Sequence, residues 1–157
     1  MIEEINTYFT IEMIYLWLNI GILPFWVVLI FFPESKICSI FTISIFPILI
    51  LTTIYIYLIY NIFKEGYDFF SNFDLYLGIN QLKELFSDTS FLILFWIHFL
   101  SINLFCGAWI VNDSQKFYIS KILISLPLIL TYFMGPLGLF IYWFIRIFYA
   151  KKISYFN

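Results

Sequence analysis

Four long runs of this sequence contain no Asp, Glu, Lys or Arg, and they restrict the possible folds more than any other feature. They cover residues 13–32, 37–63, 89–112 and 122–145. Each run reaches the roughly 20 apolar residues that a helix needs to cross a hydrocarbon layer of about 30 Å. Only 11% of the residues are charged, and a water-soluble chain of this length could not bury four such runs. We therefore predict an all-α integral membrane protein.

The predicted architecture is one transmembrane domain over residues 1–157, with four spans at about 13–32, 37–63, 89–112 and 119–146. With four spans, both termini lie on the same side of the membrane. That side carries five Lys and Arg residues against three on the other, which favours cytoplasmic termini. The host would be an inner, plasma or thylakoid-type membrane.

Residues 64–88 form the only long polar connection. Asp74 could cap a helix in which apolar side chains recur every three or four positions, at Leu75, Ile79, Leu82 and Phe86. This pattern predicts an amphipathic helix lying in the membrane interface. A lid over a site is the alternative interpretation.

The last span contains an interruption. Gly135, Pro136 and Gly138 stand close together within it. Proline removes a backbone donor and glycine lowers helix propensity, so this span should break or bend strongly and leave carbonyl groups unpaired.

Several classes of function are disfavoured by composition. A net charge of −2 argues against nucleic-acid binding. Cys38 and Cys106 lie at different depths, so they make a poor disulfide pair, and with a single distant histidine they do not form a zinc site. No span carries a buried carboxylate or lysine, and no inverted repeat is visible, which disfavours a transporter.

His98 is the only histidine, and it lies near the centre of the third span. An imidazole in hydrocarbon needs a partner, and it can exchange a proton near neutral pH. Residues at similar depth in the other spans could supply that partner. We therefore predict a polar cluster near the midplane that contains Asn19, Thr52 or Thr53, His98, Ser101 and Tyr132. Each hydroxyl or amide taken singly is also typical of ordinary interhelical packing.

Three ordered motifs resemble a known family. The first is Leu23-Pro24-Phe25-Trp26 followed by Phe32-Pro33. The second runs from Trp96-Ile97-His98-Phe99-Leu100 through Leu104-Phe105, Gly107 and Trp109-Ile110 to Asp113, and the third combines Pro127 with Gly135-Pro136-Leu137-Gly138-Leu139. Together they resemble the abscisic-acid-deficient type of membrane protein, which is associated with neoxanthin synthesis in plants.

The resemblance implies a four-helix membrane protein that acts on, or binds, carotenoids or related isoprenoids. The plant reaction converts violaxanthin to neoxanthin, an isomerisation without a redox cofactor that needs an acid and a base. The implied catalytic candidates are His98, with Tyr132 or Asp113 as the second group. Trp96, Asn103 and Trp109 join the polar cluster as candidate substrate-binding residues.

The chain also departs from that family pattern. An aspartate usually stands at the position of Asn103, and an arginine commonly at that of Ala108. These changes remove ionisable groups, so the alternative is a non-catalytic carotenoid-binding or scaffold subunit. Such a subunit would work in the bilayer as a homo-oligomer or with a partner membrane protein.

Overall fold

The computed structural model describes residues 10–150, which are helical apart from short connections. Its elements are α1 (Ile11–Phe31), a π-helical turn (Cys38–Thr42), α2 (Phe46–Lys64), a 3₁₀ helix (Phe69–Tyr76), α3 (Ile79–Leu85), α4 (Thr89–Lys116), α5 (Lys121–Met134) and α6 (Pro136–Ala150). The described residues cluster into two compact units. The first contains residues 10–20 and 49–100, and the second contains residues 21–48 and 101–150.

Three segments of the described chain are long and apolar enough to cross a membrane. They are Ile11–Phe31, Cys38–Lys64 and Thr89–Lys116, with 21, 27 and 28 residues. The all-helical prediction is confirmed, and segments of this length fit an integral membrane protein. The predicted fourth span is not present as one helix.

That fourth segment forms a helical hairpin in the second unit. Helices α5 and α6 have 14 and 15 residues, or about 21 to 22 Å each, which is shorter than the hydrocarbon layer. Gly138 of α6 lies directly against Thr131 and the carbonyl oxygen of Pro127 in α5. In a continuous helix, residues 127 and 138 would be about 16 Å apart. The two helices therefore fold back on each other.

The turn of the hairpin lies beside the middle of α4. Gly135 separates the two helices with a φ of +21°, and it lies next to the side chain of Asn103. Arg146, near the end of α6, contacts Asp113, near the end of α4. Asn103 is 13 residues, about 20 Å, from the end of α4. The hairpin therefore enters alongside α4 from one end and returns to that same end.

The polar connection between α2 and α4 differs from the prediction. It contains the 3₁₀ helix and the seven-residue α3 instead of one amphipathic helix, because the extended backbone of Gly78 interrupts it (φ 161°, ψ 174°). The capping residue of the 3₁₀ helix is Asp68, whose carboxylate accepts a hydrogen bond from the Phe70 amide at 2.9 Å, and not Asp74. Asp88 caps α4 in the same way, accepting from the Phe91 amide at 2.8 Å.

The hairpin predicts which chain segments share a side of the membrane. With Cys38 and Cys106 replaced by alanine, single cysteines at Ser120 and Tyr149 should react with a membrane-impermeant maleimide from the same side. A cysteine at Ser87 should react from the opposite side, because Ser87 and Ser120 flank the two ends of α4. Labelling of Tyr149→Cys from the side of Ser87 would contradict the hairpin and restore a fourth span.

The close approach at Gly138 generates a second prediction. A β-carbon there would overlap Thr131 and the Pro127 carbonyl oxygen, so Gly138→Ala should separate α5 from α6 and lower thermal stability in detergent by several degrees. Gly21→Ala is the matched control, because a β-carbon at Gly21 meets no atom within 4 Å. It lies within a helix, so alanine should leave stability unchanged or raise it. Equal stability of the two variants would contradict the packing of the hairpin.

Candidate functional site

A buried ion pair joins the hairpin to α4. The Arg146 Nε donates to Asp113 Oδ2 at 2.6 Å, and Arg146 Nη2 donates to Oδ1 at 3.4 Å. The Tyr142 hydroxyl donates to the same Oδ2 at 2.7 Å. All three residues are at least 95% buried. A carboxylate inside an apolar unit is thus neutralised by a guanidinium and stabilised further by a phenol.

Aromatic rings surround this ion pair. The Arg146 guanidinium lies over the Phe117 ring, with Cζ 4.7 Å from the ring centroid. Trp109 meets Tyr142 edge to face, at 5.6 Å between centroids and 89° between ring planes. The helical repeat explains the grouping: Trp109 and Asp113 are four residues apart on α4, and Tyr142 and Arg146 are four apart on α6.

The ion pair changes the interpretation of Asp113. Asp113 was predicted as a candidate second catalytic group, but it is only 4% exposed because Arg146 and Tyr142 fold over it. Both groups bind its carboxylate, so the geometry favours a structural position for Asp113, and its catalytic role stays a prediction.

Asn103 lies at the turn of the hairpin. Its amide Nδ2 donates to the Tyr132 carbonyl oxygen, near the C-terminal end of α5, at 3.5 Å. Asn103 is only 4% exposed. Tyr132 places its ring against Trp26, at 5.3 Å between centroids. The amide of Asn103 thus meets one of the carbonyl groups that the break in the helix was expected to leave unpaired.

An apolar cleft of about 480 Å³ lies elsewhere in the second unit. One wall is the segment from Thr42 to Ile48, and the other is the part of α4 from Leu104 to Asn112, including Ala108 and Trp109. The lining is mainly aliphatic and aromatic, with few polar groups. Its size and lining are typical of a site for a largely apolar small molecule.

The π-helical turn supplies an unusual polar group to this cleft. The Ile43 amide donates to the Cys38 carbonyl five residues back, at 2.9 Å, which is the wider π-helical spacing that recurs at functional sites. Thr42 lines the cleft, and its hydroxyl oxygen is buried without a hydrogen-bond partner among residues 10–150. A buried, unsatisfied hydroxyl is unfavourable unless a ligand completes its hydrogen bonding.

His98 is exposed on the surface of α4, so the buried position predicted for it is wrong. The buried face of α4 in the first unit is set by Ile93, Leu94, Ile97 and Leu100. A helix turns by about 100° per residue, so the residue after Ile97 points away from that face. Position along a span does not determine burial, because rotation about the helix axis decides which side chains face the interior.

The other predicted cluster members in the first unit, Asn19, Thr52 and Thr53, form no hydrogen bond with one another within the described part of the chain. Asn19 is half-buried and donates to the Tyr15 carbonyl at 2.6 Å. Thr52 and Thr53 are exposed, and Thr53 donates to the Leu49 carbonyl at 2.8 Å. The Asn19 amide and the Thr53 hydroxyl each donate to a backbone carbonyl four residues earlier in their own helix. Such local side-chain-to-backbone bonds are common for these residue types.

Trp96 lines a second apolar cleft, of about 430 Å³, with Tyr15 and Glu12 in the first unit. Its ring contacts Tyr15 at 5.8 Å and Phe99 at 5.4 Å between centroids. Ser101 and Tyr132 are half-buried in the second unit.

Sequence reasoning missed Arg146, Tyr142 and Thr42. Arg146 had been counted as a cation flanking the membrane, although it stands among apolar residues and would need a counter-ion there. The matched four-residue spacings of Trp109 with Asp113 and of Tyr142 with Arg146 were a usable signal. Nothing in the sequence marks Thr42, since its importance depends on the local π-helical backbone.

Removal of the carboxylate tests the ion pair. Asp113→Ala leaves Arg146 buried without its counter-ion, and we expect a loss of about 3 kcal/mol or more in the free energy of unfolding. The measurement is urea or thermal unfolding of purified protein in a fixed detergent. Asp74→Ala, at an exposed aspartate, is the control and should change stability by less than about 0.5 kcal/mol. Equal effects of the two changes would argue against a buried ion pair.

Comparison with known proteins assigns the family. The model of the ABA4-like family (ABA DEFICIENT 4-like) matches residues 13–142. No curated protein and no solved structure matches at the same standard of significance. The match includes α1, both walls of the cleft, α4 and most of the hairpin. With more than four-fifths of its length matched, this chain belongs to the ABA4-like, neoxanthin synthase-like family.

Proposed function

We propose that this protein binds the hydroxylated ring of a carotenoid in the cleft between residues 42–48 and α4. The observation that carries the proposal is the Thr42 hydroxyl, which is buried without a hydrogen-bond partner among residues 10–150 and belongs to a mainly apolar lining. Membership of a neoxanthin synthase-like family supplies the ligand class.

The cleft suits such a ligand chemically. Its aliphatic side chains and the Trp109 ring can pack against a methylated ring and the start of a polyene. The Thr42 hydroxyl could exchange a hydrogen bond with a ring hydroxyl, and Ser44 and Asn112 are further polar residues of the lining. Buried polar groups that a ligand satisfies provide specificity against the analogue that lacks the hydroxyl.

Conversion of the bound carotenoid is the second candidate, and family membership favours it. Isomerisation of an epoxide to an allenic alcohol breaks one C–O bond, adds a proton to the oxygen and removes one from the neighbouring polyene carbon. It requires an acid and a base but no net redox change. His98 is not among the residues that line the cleft, so binding has stronger geometric support than acid–base chemistry at His98.

Thr42→Val tests binding directly. The variant should bind zeaxanthin, a dihydroxylated carotenoid, roughly two- to tenfold more weakly, since one hydrogen bond is lost. Its affinity for β-carotene, which has no hydroxyl, should not change. Affinities would be measured from pigment absorbance on protein reconstituted in nanodiscs. Without pigment, Thr42→Val should be as stable as the wild type or more so, because an unsatisfied buried hydroxyl is removed.

Thr42→Ser is the matched control, because it keeps the hydroxyl and should keep the preference for zeaxanthin. If wild type, Thr42→Val and Thr42→Ser bind the two pigments equally, the hydroxyl is not a recognition group. If the wild type binds neither pigment, the proposed function itself is wrong.

Product analysis separates binding from conversion. In cells that accumulate a 5,6-epoxy xanthophyll, an isomerase should yield the allenic product, and a binding protein should co-purify with unchanged pigment. If a product appears, its loss in His98→Ala, with normal membrane insertion, would support the predicted role of His98. An undiminished yield would exclude that role.

The orientation in the membrane is also part of the proposal. The hairpin supports a location of the end of α6 on the same side as the connections that follow α1 and α4. Lys36, Lys116 and Lys121 belong to that side, and Lys151 and Lys152 follow α6 in the sequence, against Lys64 and Lys83 on the other side. The excess of lysine supports a cytoplasmic location for that side. The start of α1 and the end of α6 would then lie on opposite sides, unlike the four-span expectation.

A further inference from the structure

We infer that Asp113 is a positioning residue for the cleft, acting through Tyr142 to hold the Trp109 ring in the cleft wall. The importance of this contact for a ligand rests on the proposed function. The mechanical link from Asp113 to Trp109 does not, and it can be measured on protein without pigment.

The first link joins Trp109 to Tyr142. Trp109 lines the cleft and is half-buried. Its ring also meets the Tyr142 ring edge to face, at 5.6 Å between centroids. This geometry is favourable for two aromatic rings, and it depends on the orientation of the tyrosine ring.

The second link fixes Tyr142. The tyrosine is fully buried, and its hydroxyl donates to Asp113 Oδ2 at 2.7 Å. A hydrogen bond to an ionised acceptor is about twice as strong as one between neutral groups. Tyr142 is thus held by its backbone at one end and by its hydroxyl at the other, which restricts the ring against which Trp109 packs.

Arg146 sets the third link. Its Nε lies 2.6 Å from the same Oδ2, which fixes the orientation of the carboxylate that accepts from Tyr142. Asp113, Tyr142 and Arg146 contribute no side chain to the cleft lining. They therefore act on a ligand only by ordering Trp109 before it binds, and such preorganisation raises affinity.

Two variants separate positioning from stability. Tyr142→Phe keeps the ring but removes the hydroxyl. The double variant Asp113→Leu/Arg146→Met removes both charges together, so no charge is left buried alone, and such replacements are often neutral or stabilising. Both variants leave Tyr142 or its phenylalanine substitute without the Asp113 anchor.

The direct readout is the fluorine NMR spectrum of protein labelled with 5-fluorotryptophan, with the Trp109 signal assigned from Trp109→Phe. In protein without pigment, we expect one sharp Trp109 signal in the wild type and a shifted or broadened signal in both variants. Their affinities for zeaxanthin and for β-carotene should fall about three- to tenfold, since one more side chain must be ordered on binding. A loss of affinity for both pigments distinguishes this effect from that of Thr42→Val, which should weaken zeaxanthin binding alone.

Tyr149→Phe is the matched control, because it removes a hydroxyl from an exposed tyrosine near the end of the same helix, and it should change neither readout. An unchanged Trp109 signal and unchanged affinities in both variants would overturn the inference. A changed Trp109 signal in a protein whose wild type binds no pigment would support the mechanical link and refute the proposed function instead.

Discussion

The second unit depends on one buried charge pair. Asp113 and Arg146 lie in an apolar environment, where either charge alone would be strongly unfavourable. The pair fixes the end of α6 beside the end of α4, and Asn103 meets the turn of the hairpin about 15 Å away along α4. With both ends defined, two helices that are each too short to span the bilayer acquire a definite depth and direction.

The same pair links the hairpin to the cleft. Tyr142 contacts the Asp113 carboxylate through its hydroxyl and the Trp109 ring through its own ring. One residue therefore contributes both to the packing of the hairpin and to the wall of the cleft. The opposite wall contains the π-helical turn and the Thr42 hydroxyl, which has no hydrogen-bond partner among residues 10–150. In the proposed function, this hydroxyl and the aromatic wall would together recognise an apolar molecule with a polar end.

The class of the protein and its helical content follow from the uncharged runs, because hydrocarbon thickness sets a length that few other folds require. The family follows from three ordered motifs. The residues of the candidate site were harder to predict from the sequence. Gly135 and Pro136 indicate a break, but they do not say whether the chain continues across the membrane or returns; the contact of Gly138 with Pro127 decides this. The polar cluster around His98 was predicted from depth along the spans alone, but rotation about the helix axis exposes His98.

The short helices of the hairpin also bear on biogenesis. Neither α5 nor α6 can integrate stably as an independent span, since each leaves part of the hydrocarbon layer uncrossed and α6 contains an arginine. α5 uses the Asn103 amide of α4 as a donor, and α6 uses the Asp113 carboxylate of α4 as an acceptor. Because α4 precedes both helices in translation, we expect α4 to enter the bilayer first and the hairpin to dock onto it afterwards.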